Sequence, residues 1–245
     1  AIVIFLALLG LLIVKNPIKW PLFFATALTI ALGWGNNFMG LTSLFMDYVP
    51  GYNKFRAVSM IMVVAELTLP LFAMLGLNEL LKHENWEDTI AIERLKRNMS
   101  LKRLIMIATL VVGGFCLLAY VLPDVFNTFH AQGEDEQLVA RAVRAGNPEN
   151  QVRPYVTELM PQLEAARKAI FRSDAIRSVI FIALAFGALF MYFTRRIKKE
   201  MVLGALGFFI LIDLWTVDTR YLNAQSFVTK EQMQQRIATK STADE

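Results

Sequence analysis

The sequence predicts an all-α polytopic membrane protein with about six transmembrane helices, an interfacial helix and a helical extracytoplasmic loop. Three observations carry that prediction. Of the 245 residues, 56% are apolar and only 19% charged, with a mean hydropathy of +0.45, whereas a soluble domain has about a quarter charged. The apolar residues fall into six blocks, roughly 1–14, 19–35, 57–77, 103–122, 175–194 and 200–217. Basic residues crowd every second connection between those blocks, which is the charge signature of a chain threaded through a membrane.

A helix needs about 20 apolar residues to cross the hydrocarbon, and five of the blocks are long enough. The first block is short and starts at Ala1 without an initiator Met. It reads as a truncated helix rather than a signal peptide, which carries a basic leader and a small-residue cleavage site. Lys15 and Lys19 separate blocks one and two. Lys82, Arg94, Lys96, Arg97, Lys102 and Arg103 separate three and four, and Arg195, Arg196, Lys198 and Lys199 separate five and six. These connections are assigned to the cytoplasm, so the N-terminus and the C-terminal tail are extracytoplasmic. Trp20 and Tyr192 then fall at inner membrane boundaries, and Trp34, Tyr120 and Trp215 at outer ones.

Residues 1–217 therefore form the transmembrane bundle, and 218–245 begin an extracytoplasmic C-terminal region. The cytoplasmic connection 78–102 is expected to hold a polar helix from Asn78 to Asn98, with Glu93 and Arg97 at i, i+4 spacing. In the outer loop 123–174, eight acids offset Arg141, Arg144, Arg153, Arg167, Lys168 and Arg172. Val156, Leu159, Leu163, Ala166 and Ile170 form one apolar helical stripe there. Pro161 interrupts it, predicting two short helices or one kinked helix. The stripe lies on the membrane surface or roofs the bundle, and its mixed-sign polar face favours the roof.

The net charge of +4 calls for no nucleic-acid partner, because the basic residues are spent on short loops that set topology. Cys116 stands alone inside an apolar block, so there is no disulfide framework and the thiol reads as a packing residue. His83 and His130 fall on opposite sides of the membrane, which leaves no metal constellation, and no phosphate loop, dinucleotide fingerprint or nucleophile elbow calls for a cofactor.

Two places hold polar residues that the membrane makes unusual. The first is the outer segment 36–56. Phe38, Leu41, Phe45 and Tyr48 share one helical face, and Asn37, Thr42, Ser43 and Asp47 lie towards the other, as in a helix at the interface. Pro50-Gly51 turns the chain and delivers Tyr52, Asn53, Lys54 and Arg56 to the outer mouth of the third span. Lys54 and Arg56 suit a lipid-linked phosphate, Arg by bidentate donors and Lys as a point charge. Asn36 and Asn37 suit a sugar or headgroup, with Asp47 nearby. The competing account is that Lys54 and Arg56 snorkel to headgroups. The second place is Glu66, about 13 Å below the outer end of the third span. A carboxylate there costs about 2.5–3.5 kcal/mol, so it is expected to face the bundle interior or a water-filled cavity. It reads either as a functional acid or as a neutral, hydrogen-bonded packing carboxyl. Pro70 cannot donate to the Glu66 carbonyl, which predicts a kink. Asp213, in the sixth span, is expected to pair with Arg56 or Arg220, or to face outer water.

Gly33-Trp34-Gly35-Asn36-Asn37-Phe38-Met39, Asp47 through Arg56 with its Pro-Gly-Tyr-Asn-Lys-Phe-Arg run, Asp213-Leu214-Trp215 and Arg220-Tyr221-Leu222-Asn223 together resemble the YfhO family of bacterial membrane proteins. Its members resemble GT-C glycosyltransferases. The resemblance implies an enzyme of the bacterial cytoplasmic membrane that moves a sugar from a polyprenyl-phosphate carrier to a cell-envelope glycan or polymer acceptor on the outer face. It also implies that the catalytic carboxylate lies upstream of Ala1 and that this part supplies the carrier side of the site. Lys54 and Arg56 would stabilise the departing phosphate, with Asn36, Asn37, Asp47, Tyr52 and Asn53 around them. A lipid or polymer transporter, with Glu66 and Asp213 along a polar path, and a non-catalytic scaffold are the alternatives. The transporter predicts paired broken helices, and only Pro70 interrupts a span.

Overall fold

The computed structural model describes residues 1–54, 58–83, 85–92, 97–222, 226–230 and 233. Its order is α1 (Ile2–Ile13), α2 (Lys19–Gly33), α3 (Met39–Tyr48), α4 (Met62–Leu80), β1 (Thr89–Ile92), β2 (Arg97–Ser100), α5 (Leu101–Val121), α6 (Pro123–Phe126), α7 (Glu134–Arg144), α8 (Glu149–Phe193) and α9 (Lys199–Tyr221). Four of these, α4, α5, α8 and α9, are long and apolar enough to cross a membrane, which places the protein in one. The other two expected spans are the shorter apolar helices α1 and α2, of 12 and 15 residues, or about 18 and 22 Å at 1.5 Å per residue.

Helix α1 is the centre of the bundle. Ile2, Phe5, Leu6, Leu9 and Ile13 are almost completely buried, in one core with Phe72, Leu80, Leu101, Ile105, Ile182, Leu189, Val202 and Leu206 from α4, α5, α8 and α9. Its tightest neighbour is α4, because both helices present glycine at the crossing. A Cβ built on Gly76 would lie 2.6 Å from the Gly10 Cα and 2.8 Å from the Leu6 carbonyl oxygen. Small residues allow such an approach, and close backbone packing is what holds helices together where lipid cancels the hydrophobic drive. Nearer its start, α4 meets α2 through a 2.7 Å hydrogen bond between the buried hydroxyls of Thr26 and Thr68.

At one end of the bundle, the connection between α4 and α5 is a strand pair rather than the expected polar helix. Strands β1 and β2 are antiparallel, with Ile90 opposite Met99. The i, i+4 pair Glu93 and Arg97 gave a helical pattern, but Thr89, Ile90 and Ile92 favour an extended chain, and the hairpin has an anchor that a solvated helix would lack. Trp86 packs edge-on against Phe190 at 5.5 Å and tilted against Phe193 at 5.4 Å, both on α8. The Leu101 and Lys102 amides donate to the Asp88 and Trp86 carbonyls, and Ser100 caps α5. Glu93, Arg94, Leu95 and Lys96 lie outside the described residues.

The loop 123–174 also departs from expectation. Helix α8 runs unbroken for 45 residues through Pro154 and Pro161, so the outer stripe and the fifth apolar block are one helix of about 67 Å. Helix α7 folds back along it, turning at Gly146, whose φ of +92° suits glycine. Val139 of α7 packs with Val152, Val156 and Met160 of α8, and Leu163 borders them. This side-by-side pairing buries Val156 and borders Leu163, while Ala166 and Ile170, further along the stripe, stay exposed. The burial it provides outweighs the backbone bonds that the two prolines forgo.

Helix α9 extends to Tyr221, a few residues past the expected end of the bundle. Of the tail, residues 223–225, 231, 232 and 234–245 lie outside the described set.

Candidate functional site

The segment between α2 and α4 forms as a run of short helices. Residues Gly35–Phe38 make a 3-10 turn, α3 follows, and Tyr52–Lys54 make a second 3-10 turn. Gly51 has φ +84°, so the Pro50-Gly51 turn is where the residue types place it. Helix α3 does not split into the two expected faces. Thr42 is its one buried residue, because its hydroxyl donates to the Gly35 carbonyl at 3.1 Å and ties the helix to the preceding turn. Leu41 and Phe45 are half-buried, while Phe38 and Tyr48 are exposed, Tyr48 at 79%.

Asn37, Asp47 and Lys54 are all exposed along this segment. The Tyr52 ring packs edge-on against Phe45 at 5.6 Å, and its hydroxyl is buried without a partner among the described residues. No hydrogen bond joins the side chains of Asn37, Asp47, Tyr52 and Lys54 to one another among the described residues. Arg56 lies outside those residues, as do the side chains of Asn36 and Asn53. What is displayed here is one ammonium group, one carboxylate and one amide on a short amphipathic ledge bordered by exposed Trp34, Phe38 and Met39.

Glu66 is not in the bundle interior. It is exposed on α4, whose outward face also carries Val63, Leu67 and Met74. The inward stripe of α4 is Ala65, Leu69, Phe72, Gly76 and Leu80, a 4-3-4-4 spacing, and Glu66 is one residue out of step with it. Pro70 leaves α4 continuous from Met62 to Leu80, although the Glu66 carbonyl forgoes its helical donor there.

Arg56 lies outside the described residues, and Asp213 does not pair with Arg220. Its Oδ1 is 3.3 Å from Arg177 Nε on α8, and its Oδ2 is 3.2 Å from the Ala1 amine. Arg220 instead donates to Asp174 at 2.6 Å, and Arg177 lies 3.7 Å from the same carboxylate. The four side chains make an alternating chain that clips α8 to α9. Arg177 Nε and Asp213 Oδ1 are buried and not aligned as a hydrogen bond, so their contact is an ion pair only. Asp174 closes the outer loop 123–174 and Arg177 lies just inside the apolar block 175–194. Their signal was opposite charges at i, i+3 just where apolar residues take over.

Further out on α8, Arg167 forms a two-pronged pair with Glu134 of α7, one prong at 2.8 Å, and donates to the Phe129 carbonyl at 3.0 Å. The Arg167 bonds to the Glu134 carboxylate, with one from the Ala131 amide, lower the Glu134 pKa from 4.5 to about 2. A carboxylate with a depressed pKa stabilises the fold above its ordinary value and ceases to do so as pH falls through the depressed one. The protection of amides in 127–145, taken relative to their intrinsic exchange rate at each pH, is therefore expected to hold down to about pH 4.5 and to fall between there and about pH 2. In Glu134→Gln this step should vanish, and an unchanged step would assign it elsewhere.

Among the described residues, no group of three or more His, Cys, Asp and Glu is placed to hold a metal ion. The fold and these polar groups define a helical membrane protein with an exposed polar ledge and an interhelical ion-pair chain at the end opposite the strand pair. Comparison with protein-family models, curated proteins and solved structures finds no match.

Proposed function

We propose that this chain is part of a membrane glycosyltransferase of the YfhO family, resembling the GT-C class. It transfers a sugar from a polyprenyl-phosphate carrier to a cell-envelope acceptor on the outer face of the bacterial cytoplasmic membrane. In this reading α1 and α2 join the four longer helices as six spans, the strand pair lies in the cytoplasm, and both termini are extracytoplasmic. Lys54 and Arg56 bind the carrier phosphate, Asn37, Asp47 and Tyr52 border it with Asn36 and Asn53, and the catalytic carboxylate lies upstream of Ala1.

The observation that carries this reading is the ledge itself: Lys54 is exposed at the end of a tight turn that follows α3. A phosphate at the depth of a lipid headgroup would meet there an exposed ammonium whose backbone is set by the turn. Two features count against a transport path. Glu66 is exposed on α4, and Asp213 is committed to Arg177.

In the full-length protein, Arg56→Ala and Lys54→Ala are each expected to cut sugar transfer about tenfold or more, as befits loss of a charge-assisted phosphate contact of about 1.5–3 kcal/mol. Membrane insertion should be unchanged. The check is transfer of radiolabelled sugar from polyprenyl-phosphate carriers in membrane vesicles, beside polyprenyl-phosphate binding in nanodiscs. Activity equal to that of the parent in both variants would remove the phosphate role.

A further inference from the structure

The loop 127–131 between α6 and α7 stands against α8 and borders an open surface cleft of about 490 Å³, lined by Asn127, Phe129, His130, Arg167, Phe171 and Asp174 among others. That size is within the range of small-molecule sites, about 300–1,000 Å³. The loop is pinned in place by the Arg167 contacts to Glu134 and to the Phe129 carbonyl, and by Lys168 of α8 on Asp124 at 2.6 Å. A ligand entering the cleft finds walls that are already built, so little ordering opposes binding.

The lining charges are all engaged. His130 Nδ1 is 3.0 Å from Glu164, Arg167 holds Glu134, and Asp174 is bridged by Arg220. An ion entering the cleft would have to break one of these pairs. The Phe171 ring, edge-on to Phe129 at 5.5 Å, remains available, while the Lys168 ammonium lies 6.0 Å over the Phe129 ring. So do the Asn127 amide and the Thr128 hydroxyl, neither of which bonds another described residue. Asp174 and His130 retain acceptor and donor capacity beyond their present partners. Aromatic surface next to uncharged hydrogen-bonding groups suits a molecule that is itself uncharged, with C–H patches for the rings and hydroxyls for the amide. A purely apolar ligand would strand the amide and the carboxylate.

We propose that this cleft binds a neutral sugar unit of a glycan. Resting on the transferase reading above, it is where the acceptor docks. The cleft and the ion-pair chain share Asp174, so the docking site adjoins the clip between α8 and α9.

The test titrates the full-length protein in nanodiscs with neutral oligosaccharides of glucose, galactose and N-acetylglucosamine, two to four units long, read by saturation-transfer NMR. Glucose 6-phosphate and inorganic phosphate serve as charged probes. At least one neutral oligosaccharide is expected to bind, with affinity falling about fivefold in Phe171→Ala, the scale of one aromatic contact, and falling also in Asn127→Ala. Phe171→Trp keeps an aromatic surface and should keep binding, which decides the matter if Phe171→Ala fails to fold. Absence of binding by any neutral sugar, indifference to these substitutions, or preference for the phosphate-bearing probes would each overturn the proposal. Lys54→Ala is expected to leave sugar binding unchanged. Sugar binding at the cleft with full transfer activity in Lys54→Ala and Arg56→Ala would remove the carrier-phosphate reading and keep the cleft. Carrier binding that depends on Lys54 without sugar binding would do the reverse.

Discussion

Gly76→Val is expected to separate α1 from α4 and to lower stability by about 1–3 kcal/mol, the cost of forcing extra volume into a packed contact. The reason is backbone, not side chain. The new Cβ would sit 2.6 Å from the Gly10 Cα and 2.8 Å from the Gly10 nitrogen, and neither atom can turn aside as a flexible side chain would. Because α1 is the buried centre of the bundle, the displacement reaches α5, α8 and α9 through Leu9, Ile105 and Ile182. Gly10→Ala should be milder, since its Cβ would meet the Phe72 oxygen at 3.0 Å and the Gly76 Cα at 3.1 Å. Gly204→Ala, whose Cβ meets nothing within 4 Å, is the control and should leave stability unchanged. Thermal denaturation in detergent micelles distinguishes the three, and equal midpoints for Gly76→Val and Gly204→Ala would refute the close crossing.

Asp213→Leu and Arg177→Leu are each expected to cost about 3 kcal/mol or more, because removing one member of a largely buried ion pair leaves the other charge uncompensated. The two side chains are 13% and 21% exposed, little enough for that penalty to be felt. The double substitution Arg177→Leu with Asp213→Leu should cost less than the sum of the single ones, since neither Arg177 nor Asp213 is then left facing a missing partner, whereas the Ala1 amine loses Asp213 in the single and the double variant alike. A double-mutant cycle by denaturant titration in micelles reads this coupling directly. Strict additivity would mean that Arg177 and Asp213 act independently despite lying 3.3 Å apart.

The long apolar helices were legible because length and composition decide them. The block 103–122 became Leu101–Val121, and 200–217 became Lys199–Tyr221. The turn at Pro50-Gly51 was legible because turn chemistry is local. Glu66 was misplaced because the cost of a carboxylate in hydrocarbon was weighed without the helical phase. Ala65, Phe72, Ala73 and Gly76 already marked the inward side of α4, and small residues at a crossing outrank a polar neighbour when α4 chooses which way to face. The continuity of α8 was hidden because Pro161 is a local veto, whereas the packing of α7 against Val152, Val156 and Met160 is non-local. The strand pair was missed for a similar reason. Its anchor is an aromatic cluster contributed by α8, roughly 100 residues away in sequence.

Helix α8 carries Trp86 and the strand pair against Phe190 and Phe193 near its C-terminal end, and α7 against Val152 and Val156 near the other. A single unbroken rod makes these two places mechanically one body. With a length of about 67 Å, a tilt of only about 5° pivoting at the strand-pair end would sweep the α7 end through roughly 6 Å. Any event that rocks the strand pair is thereby geared up into a swing of the distant helical hairpin, with no jointed linkage between them.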